Sequence, residues 1–165
     1  MQNSQPIKKE FINRVQNHQG ILHKICFMYT KINADKEALY QEIVLELWKS
    51  YSSYDNRSQF STWMYRVALN TAITFIKKSA RFKANKSQII DNPEFEKPPE
   101  YSEDVKILYA AISYLNKIDK AIVLLWLEEK SYAEIAATIG ISVKNVSVKL
   151  VRIKQKLAKI IKKIS

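Results

Sequence analysis

Residues 131–157 read SYAEIAATIGISVKNVSVKLVRIKQKL, two amphipathic segments on either side of one glycine. Gly140 can adopt the positive φ that ends a first helix, and Ala136 is small where two helices must cross closely. We expect Val146 to fill the angle between the helices and Ser142 to cap the second helix. The small core would contain Ile135, Ile139 and Ile141. The pattern predicts a helix-turn-helix, although Ala, Gly and Val at these intervals could also join any two short helices.

Charge on the second predicted helix points to DNA. From Lys144 to Lys163 the sequence has eight basic residues and no acidic one, whereas a helix that meets only solvent usually mixes both signs. The N-terminal part of such a helix enters the major groove, so we expect base-edge contacts there. The residues predicted to contact base edges are Lys144, Asn145, Ser147, Val148 and Lys149, next to the cap Ser142. Those predicted to contact phosphates are Arg152, Lys154 and Lys156.

The composition of the whole chain agrees with a helical protein that binds a polyanion. Only 2 glycines and 4 prolines occur in 165 residues, which disfavours a sheet with many tight turns. The formal net charge is +11, from 27 Lys and Arg against 16 Asp and Glu. The sequence therefore predicts an all-α fold and a nucleic acid partner.

The charge is divided into three blocks, which predict two small helical domains joined by a linker. Residues 1–86 have 14 basic and 6 acidic side chains, residues 87–104 have 1 and 6, and residues 105–165 have 12 and 4. The middle block also contains three prolines, which oppose a helix. We therefore predict domains at 1–86 and 105–165, with an acidic linker at 87–104.

Apolar residues at helical spacing predict three main helices in the first domain, over 11–29, 39–51 and 60–76. Asp35 and Ser61 stand where N-caps are expected, and residues 51–59 form a polar loop between the second and third helices. In the second domain, the spacing predicts a helix over 105–115 and another over 121–128, capped by Asp119, before the helix-turn-helix.

A second basic region, residues 51–83, alternates cations with aromatic side chains. Aromatic rings provide stacking platforms for unpaired bases, and cations follow the phosphate backbone, so this composition is typical of single-strand binding. We expect Phe60 and Phe75 to lie in the core. For Tyr54 and Trp63, core packing and base stacking are both open.

Other classes of protein find little support in the sequence. An enzyme such as a nuclease would need metal-binding carboxylates or a His and Cys constellation, but His18 and His23 are five residues apart, off the spacing that pairs ligands on a helix. We expect no catalytic residue, metal site or cofactor. The single Cys26, a start without a signal peptide and the short apolar run 121–127 predict a cytoplasmic protein without membrane insertion.

Three motifs in order resemble the extracytoplasmic-function (ECF) sigma factors of bacteria, over nearly the whole chain. They are DKEALYQEI from Asp35, FSTWMYRVALN from Phe60 and EIAATIGIS from Glu134, followed by the basic VSVKLVRIKQKL. The chain departs from the family pattern at Ala38 and Thr74, where acids are common, at Asn116, where Pro is common, and at Glu129, where Gly is frequent. Ala38 removes one carboxylate from the segment that binds polymerase.

The resemblance implies a protein that directs RNA polymerase core to promoters and helps to melt them, with one domain for each promoter element. Residues 35–48 would face the clamp helices of the largest polymerase subunit, and the C-terminal domain would bind the upstream-thirty-five element as duplex, near the polymerase flap. The core contacts would be Leu39, Gln41, Glu42, Leu45 and Trp48. The melted strand of the upstream-ten element would meet Tyr54, Asn56, Arg57, Ser58, Phe60, Ser61, Thr62, Trp63, Arg66, Asn70, Lys77 and Lys78. Family analogy adds an anti-sigma factor as a partner.

The alternative is an ordinary helix-turn-helix regulator whose N-terminal half senses a signal. Its DNA-binding motif would look the same. A sensor would need a pocket or a phosphoacceptor site, whereas this N-terminal half offers aromatic and cationic loops without an acidic cluster.

Overall fold

The computed structural model describes residues 4–81 and 100–165, and the regular structure of these residues is entirely helical. The chain divides into two compact units, Met1–Pro99 and Glu100–Ser165. Most of the predicted linker, residues 87–104, lies outside the described residues. Its last two residues, Glu103 and Asp104, form the first turn of a helix. No helix among the described residues is long and apolar enough to cross a membrane.

The first unit contains four α-helices in its described part, α1 (Ser4–Asn17), α2 (Gln19–Tyr29), α3 (Asn33–Ser50) and α4 (Phe60–Arg81). A short 3₁₀ helix, Tyr51–Ser53, follows α3, so the predicted polar loop is reduced to residues 54–59. Helix α4 packs against α2 and α3. The buried apolar side chains at the centre are Phe11, Val15, Leu22, Ile25, Leu39, Ile43, Leu47, Met64, Tyr65, Ala68 and Ala72.

The predicted single helix over 11–29 is in fact two helices. His18 leaves the helical conformation, with φ −121° and ψ 17°, and separates α1 from α2. Its Nδ1–H donates to the carbonyl oxygen of Arg14 at 2.9 Å, which satisfies one of the acceptors that the end of α1 leaves open. Apolar spacing alone does not reveal this break, because buried apolar residues recur at helical intervals on both sides of it.

The predictions of Asp35 and Ser61 as caps of α3 and α4 are wrong, because both residues lie inside the first turns of these helices. Helix α3 begins at Asn33, and Asp35 lies in its first turn, where the carboxylate meets the positive end of the helix dipole. Helix α4 begins at Phe60, one residue before Ser61. Acidic and small polar residues favour both the cap and the first turn, so composition alone does not separate the two positions.

The second unit consists of α5 (Glu103–Ser113), α6 (Lys117–Leu127), α7 (Tyr132–Ile139) and α8 (Val143–Ile164), and α8 packs against the other three. Each helix begins with a side-chain cap: Ser102, Asn116, Ser131 and Ser142 accept from the backbone N–H three residues ahead. The prediction of Asp119 as a cap is therefore wrong, because Asn116 takes that role and Asp119 lies within the first turn of α6.

The turn between α7 and α8 has the predicted form. Gly140 has φ 86°, in the left-handed region, and its N–H donates to the carbonyl of Ala136 at 2.8 Å. Val146 and Ile135 are fully buried between the two helices. The expected core was too large, since Ile139 and Ile141 are only half-buried.

A residue with a strained backbone, Glu129, follows the end of α6. Glu129 has φ 60°, its N–H donates to the carbonyl of Trp126 at 3.0 Å, and the N–H of Lys130 donates to that of Leu125 at 3.1 Å. These two bonds form a Schellman motif, in which the left-handed position is usually glycine.

We expect Glu129→Gly to raise the free energy of unfolding of the second unit by about 0.5–1 kcal/mol. A side chain in the left-handed region costs about 1–2 kcal/mol, and the extra chain entropy of glycine offsets part of the gain. Urea unfolding followed by circular dichroism would measure the change. Glu129→Ala is the control, because it removes the charge and keeps the strain, and an equal gain from both variants would contradict the explanation.

Candidate nucleic-acid interface

Helix α8 has one buried face and a long exposed cationic surface. Its inward residues, Val146, Leu150, Ile153 and Leu157, recur every three or four positions and are buried. The exposed side chains include Lys144, Asn145, Ser147, Val148, Arg152, Lys154 and Lys156, as the predicted DNA contacts require. The cap at Ser142 and the turn at Gly140 fix the start of this helix.

Lys149 differs from the other predicted base contacts, because it forms an ion pair within the unit. Its Nζ lies 3.9 Å from Oδ1 of Asp119, whose carboxylate is buried and also accepts from Nδ2 of Asn116 at 3.1 Å. A buried carboxylate needs such partners, since leaving it unpaired is costly. The pair joins α8 to α6 and favours a positioning role for Lys149 over the predicted base contact.

Lys154 lies against an aromatic ring of its own unit. Its Nζ is 4.4 Å from the ring centroid of Trp126 on α6. A cation over the face of an indole is attracted by the ring, so this contact holds the Lys154 side chain against α6. The side chain remains exposed, and its predicted phosphate contact stays a prediction.

A connected cluster of aromatic rings joins α1, the end of α3, the loop 54–59 and the start of α4 in the first unit. Trp63 lies 5.1 Å from Tyr54, 5.4 Å from Phe60 and 6.2 Å from Tyr51, measured between ring centroids. Phe11 adds contacts of 5.1 Å to both Trp48 and Tyr51. We call Phe11, Trp48, Tyr51, Tyr54, Phe60 and Trp63 the aromatic cluster.

The two aromatic side chains predicted to lie in the core are only partly buried. Phe60 and Phe75 are both half-buried. Phe60 lies in the aromatic cluster, with ring centroids 5.8 Å from Tyr54 and 5.4 Å from His18. Tyr54 and Trp63, for which both roles were open, are half-buried as well, so each has ring surface on both the protein and the solvent side.

Two charged residues of α1, Arg14 and Glu10, contact the aromatic cluster, and no sequence motif predicted them as site residues. The guanidinium carbon of Arg14 lies 5.9 Å from the ring centroids of Tyr51 and Tyr54 and 5.4 Å from that of Phe60. Glu10 forms a 3.5 Å ion pair with Arg14 and accepts from the Tyr51 hydroxyl at 2.6 Å. Desolvation, followed by this hydrogen bond to Glu10, raises the pKa of Tyr51, so the phenol keeps its proton and remains a donor. The only sequence signal was the i, i+4 pair of Glu10 and Arg14.

Internal hydrogen bonds fix the loop 54–59. The Tyr54 hydroxyl donates to the carbonyl of Ser58 at 2.6 Å, and the Arg57 N–H donates to Oδ1 of Asp55 at 3.1 Å. Asn56 has φ 63°, a conformation that Asn tolerates better than most residues. Asp55 also pairs with Nε of Arg57 at 3.1 Å, and the Arg57 side chain is otherwise exposed. The predicted strand contacts Asn56, Arg57 and Ser58 therefore lie on a structured loop beside the aromatic cluster.

Helix α4 carries the predicted strand contacts on the side away from the core. Trp63, Arg66, Asn70 and Lys77 recur at intervals of three, four and seven residues, which places them on one face. The last three are exposed, whereas Met64, Tyr65, Ala68 and Ala72 on the other side are buried. Ser61 and Thr62 are half-buried at the start of the helix, and Lys78 is exposed beside Lys77. The cationic face thus continues from the aromatic cluster along α4.

The predicted polymerase contacts on α3 do not all lie on one surface. Leu39 is 0% exposed, so the prediction that it contacts a partner is wrong: the side chain belongs to the core. Leu45 is 46% exposed and Trp48 is 38% exposed. Glu42 is exposed and Gln41 is half-buried. These four residues remain available, and we call them the α3 surface.

No group of three His, Cys, Asp or Glu side chains in residues 4–81 and 100–165 is placed to hold a metal ion. The chemistry that the described surfaces offer is stacking, hydrogen bonding and positive charge. A helix-turn-helix with a basic second helix in one unit, and rings beside a cationic helix face in the other, define a protein that binds nucleic acid.

Comparison with known proteins specifies the kind of nucleic-acid-binding protein. Residues 14–82 match the family described as Sigma-70 region 2, and residues 106–157 match Sigma-70, region 4. The chain therefore belongs to the sigma-70 family, in its ECF group, and is an RNA polymerase sigma factor. The sensor-regulator alternative is not favoured, because the N-terminal unit matches a sigma region.

Individual relatives cover most of the chain. It is 24% identical over 153 residues to RNA polymerase sigma factor SigV of Bacillus subtilis, covering 92% of this chain and 91% of SigV. It is 27% identical over 164 residues to the ECF RNA polymerase sigma-E factor of Haemophilus influenzae, covering 90% and 85%. The sigma factor RpoE of Bartonella quintana, crystallised with the anti-sigma factor NepR, has a similar fold, with a TM-score of 0.72 at 16% identity over 95% of this chain and 99% of RpoE.

Proposed function

We propose that this sigma factor binds promoter DNA in two forms, as duplex at the upstream-thirty-five element and as an opened strand at the upstream-ten element. The observation that carries the proposal is the ring contact of Trp63 with Tyr54, which joins the structured loop 54–59 to the cationic face of α4. Extruding a base costs a few kcal/mol, and stacking on an aromatic ring returns about 1–3 kcal/mol per base. Half-buried rings can stack on an extruded base, and the exposed cations beside them can bind its phosphates.

The duplex would be bound by α8 of the second unit. Its exposed basic residues suit phosphates, and its N-terminal side chains suit base edges in the major groove. The cap at Ser142 and the turn at Gly140 support this orientation, because they fix the start of the helix.

The α3 surface would contact the clamp helices of the largest polymerase subunit, and the second unit would contact the flap. Trp48 and Leu45 support this proposal, because they lie three residues apart on one exposed face of α3 and Trp is among the residues that most often anchor protein interfaces. Because the solved relative RpoE was crystallised with an anti-sigma factor, we also propose that a protein of that kind binds this chain. The protein would carry out no chemistry of its own and would act in the cytoplasm, together with RNA polymerase.

Run-off transcription with purified core polymerase tests the proposal. On a library of promoter fragments, core with this protein should give discrete transcripts that core alone does not give. Leu45→Asp protein is the matched control, since it should retain its helices and fail to direct transcription. If the protein binds the fragments but produces no transcripts with core, the proposed function is wrong.

We expect Lys156→Ala to weaken binding to all duplex sequences alike and to lower the salt-dependence slope by about one unit, because one phosphate contact is lost. Lys156 is exposed on α8, so the fold should not change. Fluorescence anisotropy with several promoter duplexes over a range of salt concentrations would measure both quantities. An unchanged slope would remove Lys156 from the phosphate contacts.

Lys149→Ala provides the comparison for this experiment. If the ion pair with Asp119 sets its role, Lys149→Ala and Asp119→Asn should both weaken duplex binding without changing the preferred sequence. A change of base preference in Lys149→Ala alone would restore the prediction that Lys149 contacts a base.

A further inference from the structure

Two valines interrupt the basic surface of α8. Val148 is 42% exposed and Val151 is 57% exposed, although apolar side chains on a helix of this kind usually face the core. Val148 was predicted to contact a base edge, but Val151 was not singled out by the sequence. Their exposure calls for an explanation because the residues around them are polar or charged.

The two valines share the face of α8 that is directed away from the unit. They lie three residues apart, with Lys144 four residues before Val148 and Gln155 four residues after Val151, so all four share one exposed face. The residues that face inward, Val146, Leu150, Ile153 and Leu157, lie on the opposite side.

The charge around the valines favours DNA as the molecule that covers them. Every charged residue from Lys144 to Lys163 is basic, so this surface complements a polyanion. In the major groove, the apolar group that a side chain can contact is the 5-methyl group of thymine. Valine also suits such a contact, because it has one strongly preferred rotamer in a helix and loses little freedom on binding.

We propose that Val148 and Val151 contact thymine 5-methyl groups in the upstream-thirty-five element and thereby select A·T base pairs at the contacted positions. The inference rests on the proposed function of α8 as the duplex-binding helix. It adds the chemical class of the recognised group and a second residue that determines specificity.

Replacement of thymine by uracil tests the inference without altering the protein, because uracil lacks only the methyl group. Duplexes randomised in the upstream-thirty-five element are first selected with full-length protein and core polymerase. Each thymine of the selected sequence is then replaced in turn by uracil, and binding is measured by anisotropy. We expect about a fourfold loss at one or two positions, the loss that corresponds to one buried methyl group.

Protein variants assign the effect to each valine. Val148→Ala and Val151→Ala should each abolish the uracil effect at one position, whereas Val143→Ala, at an exposed valine on another face of α8, should retain it. Equal binding of thymine and uracil by the natural protein would overturn the inference. A uracil effect that persists in both variants would also overturn it. If the variants lose assembly with polymerase and keep their base preference, the valines contact a protein, and the inference is wrong. A selection that enriches no sequence would overturn the proposed function itself, and the inference with it.

Discussion

Leu45→Asp is expected to prevent assembly with RNA polymerase core while the first unit stays folded, and Leu39→Asp is expected to unfold that unit. The two leucines lie on the same helix, α3, but Leu39 is fully buried and Leu45 is about half exposed. Removing an apolar anchor at an interface costs about 2 kcal/mol or more, or roughly thirtyfold in affinity. Replacing a core leucine even by Ala costs about 2–5 kcal/mol, and a buried carboxylate without a partner adds to that loss.

Circular dichroism and native gel electrophoresis with purified core would separate the two effects. Leu45→Asp should keep the helical signal and lose the complex, whereas Leu39→Asp should lose both. Leu45→Met is the conservative control, because it keeps an apolar side chain at the surface. If Leu45→Asp assembles normally with core, the α3 surface is not the polymerase contact.

Trp63→Ala is expected to spare closed-complex binding and to reduce open-complex formation by roughly fivefold to 150-fold. This range corresponds to the loss of about 1–3 kcal/mol of base stacking. Closed-complex binding should persist because the duplex contact proposed for α8 lies in the other unit. Permanganate footprinting of unpaired thymines on duplex and pre-melted templates would measure opening, and the pre-melted template should remove much of the difference.

Trp63 also contacts three other rings of the aromatic cluster, so its removal could act through the fold. Trp63→Phe keeps a ring and should retain most of the opening activity, and Tyr114→Ala removes an exposed aromatic ring from the other unit as a control. A folded Trp63→Ala protein that opens promoters normally would show that Trp63 only packs within the cluster.

The sequence predicted those features that depend on local spacing. The helix-turn-helix followed from three local signals: a glycine that can adopt a positive φ (Gly140), an apolar residue that packs between the two helices (Val146) and a helix cap (Ser142). The division of basic and acidic charge also predicted two helical units. The motifs that begin at Asp35, Phe60 and Glu134 predicted which segments belong to the two sigma regions.

Features that depend on contacts between distant residues could not be predicted in this way. The Tyr51 hydroxyl bonds to Glu10, 41 residues earlier in the chain, and no periodicity indicates such a pair. A family motif covers residues 35–48 as one segment and does not separate the buried face of α3 from the exposed one, so it predicts an interface contact for the buried Leu39. Lys149 was grouped with its basic neighbours, although a single buried carboxylate, Asp119, distinguishes it from them.

The anchoring of α8 also bears on the kinetics of promoter binding. The Ser142 cap, the left-handed Gly140 and the Lys149–Asp119 ion pair hold this helix against its unit before any DNA is present. A helix that is already ordered enters the groove as a rigid body, without the entropy loss of coupled folding. The association rate should then be set by diffusion and by long-range attraction between the basic helix and the phosphates, and it should fall as added salt shortens the range of that attraction.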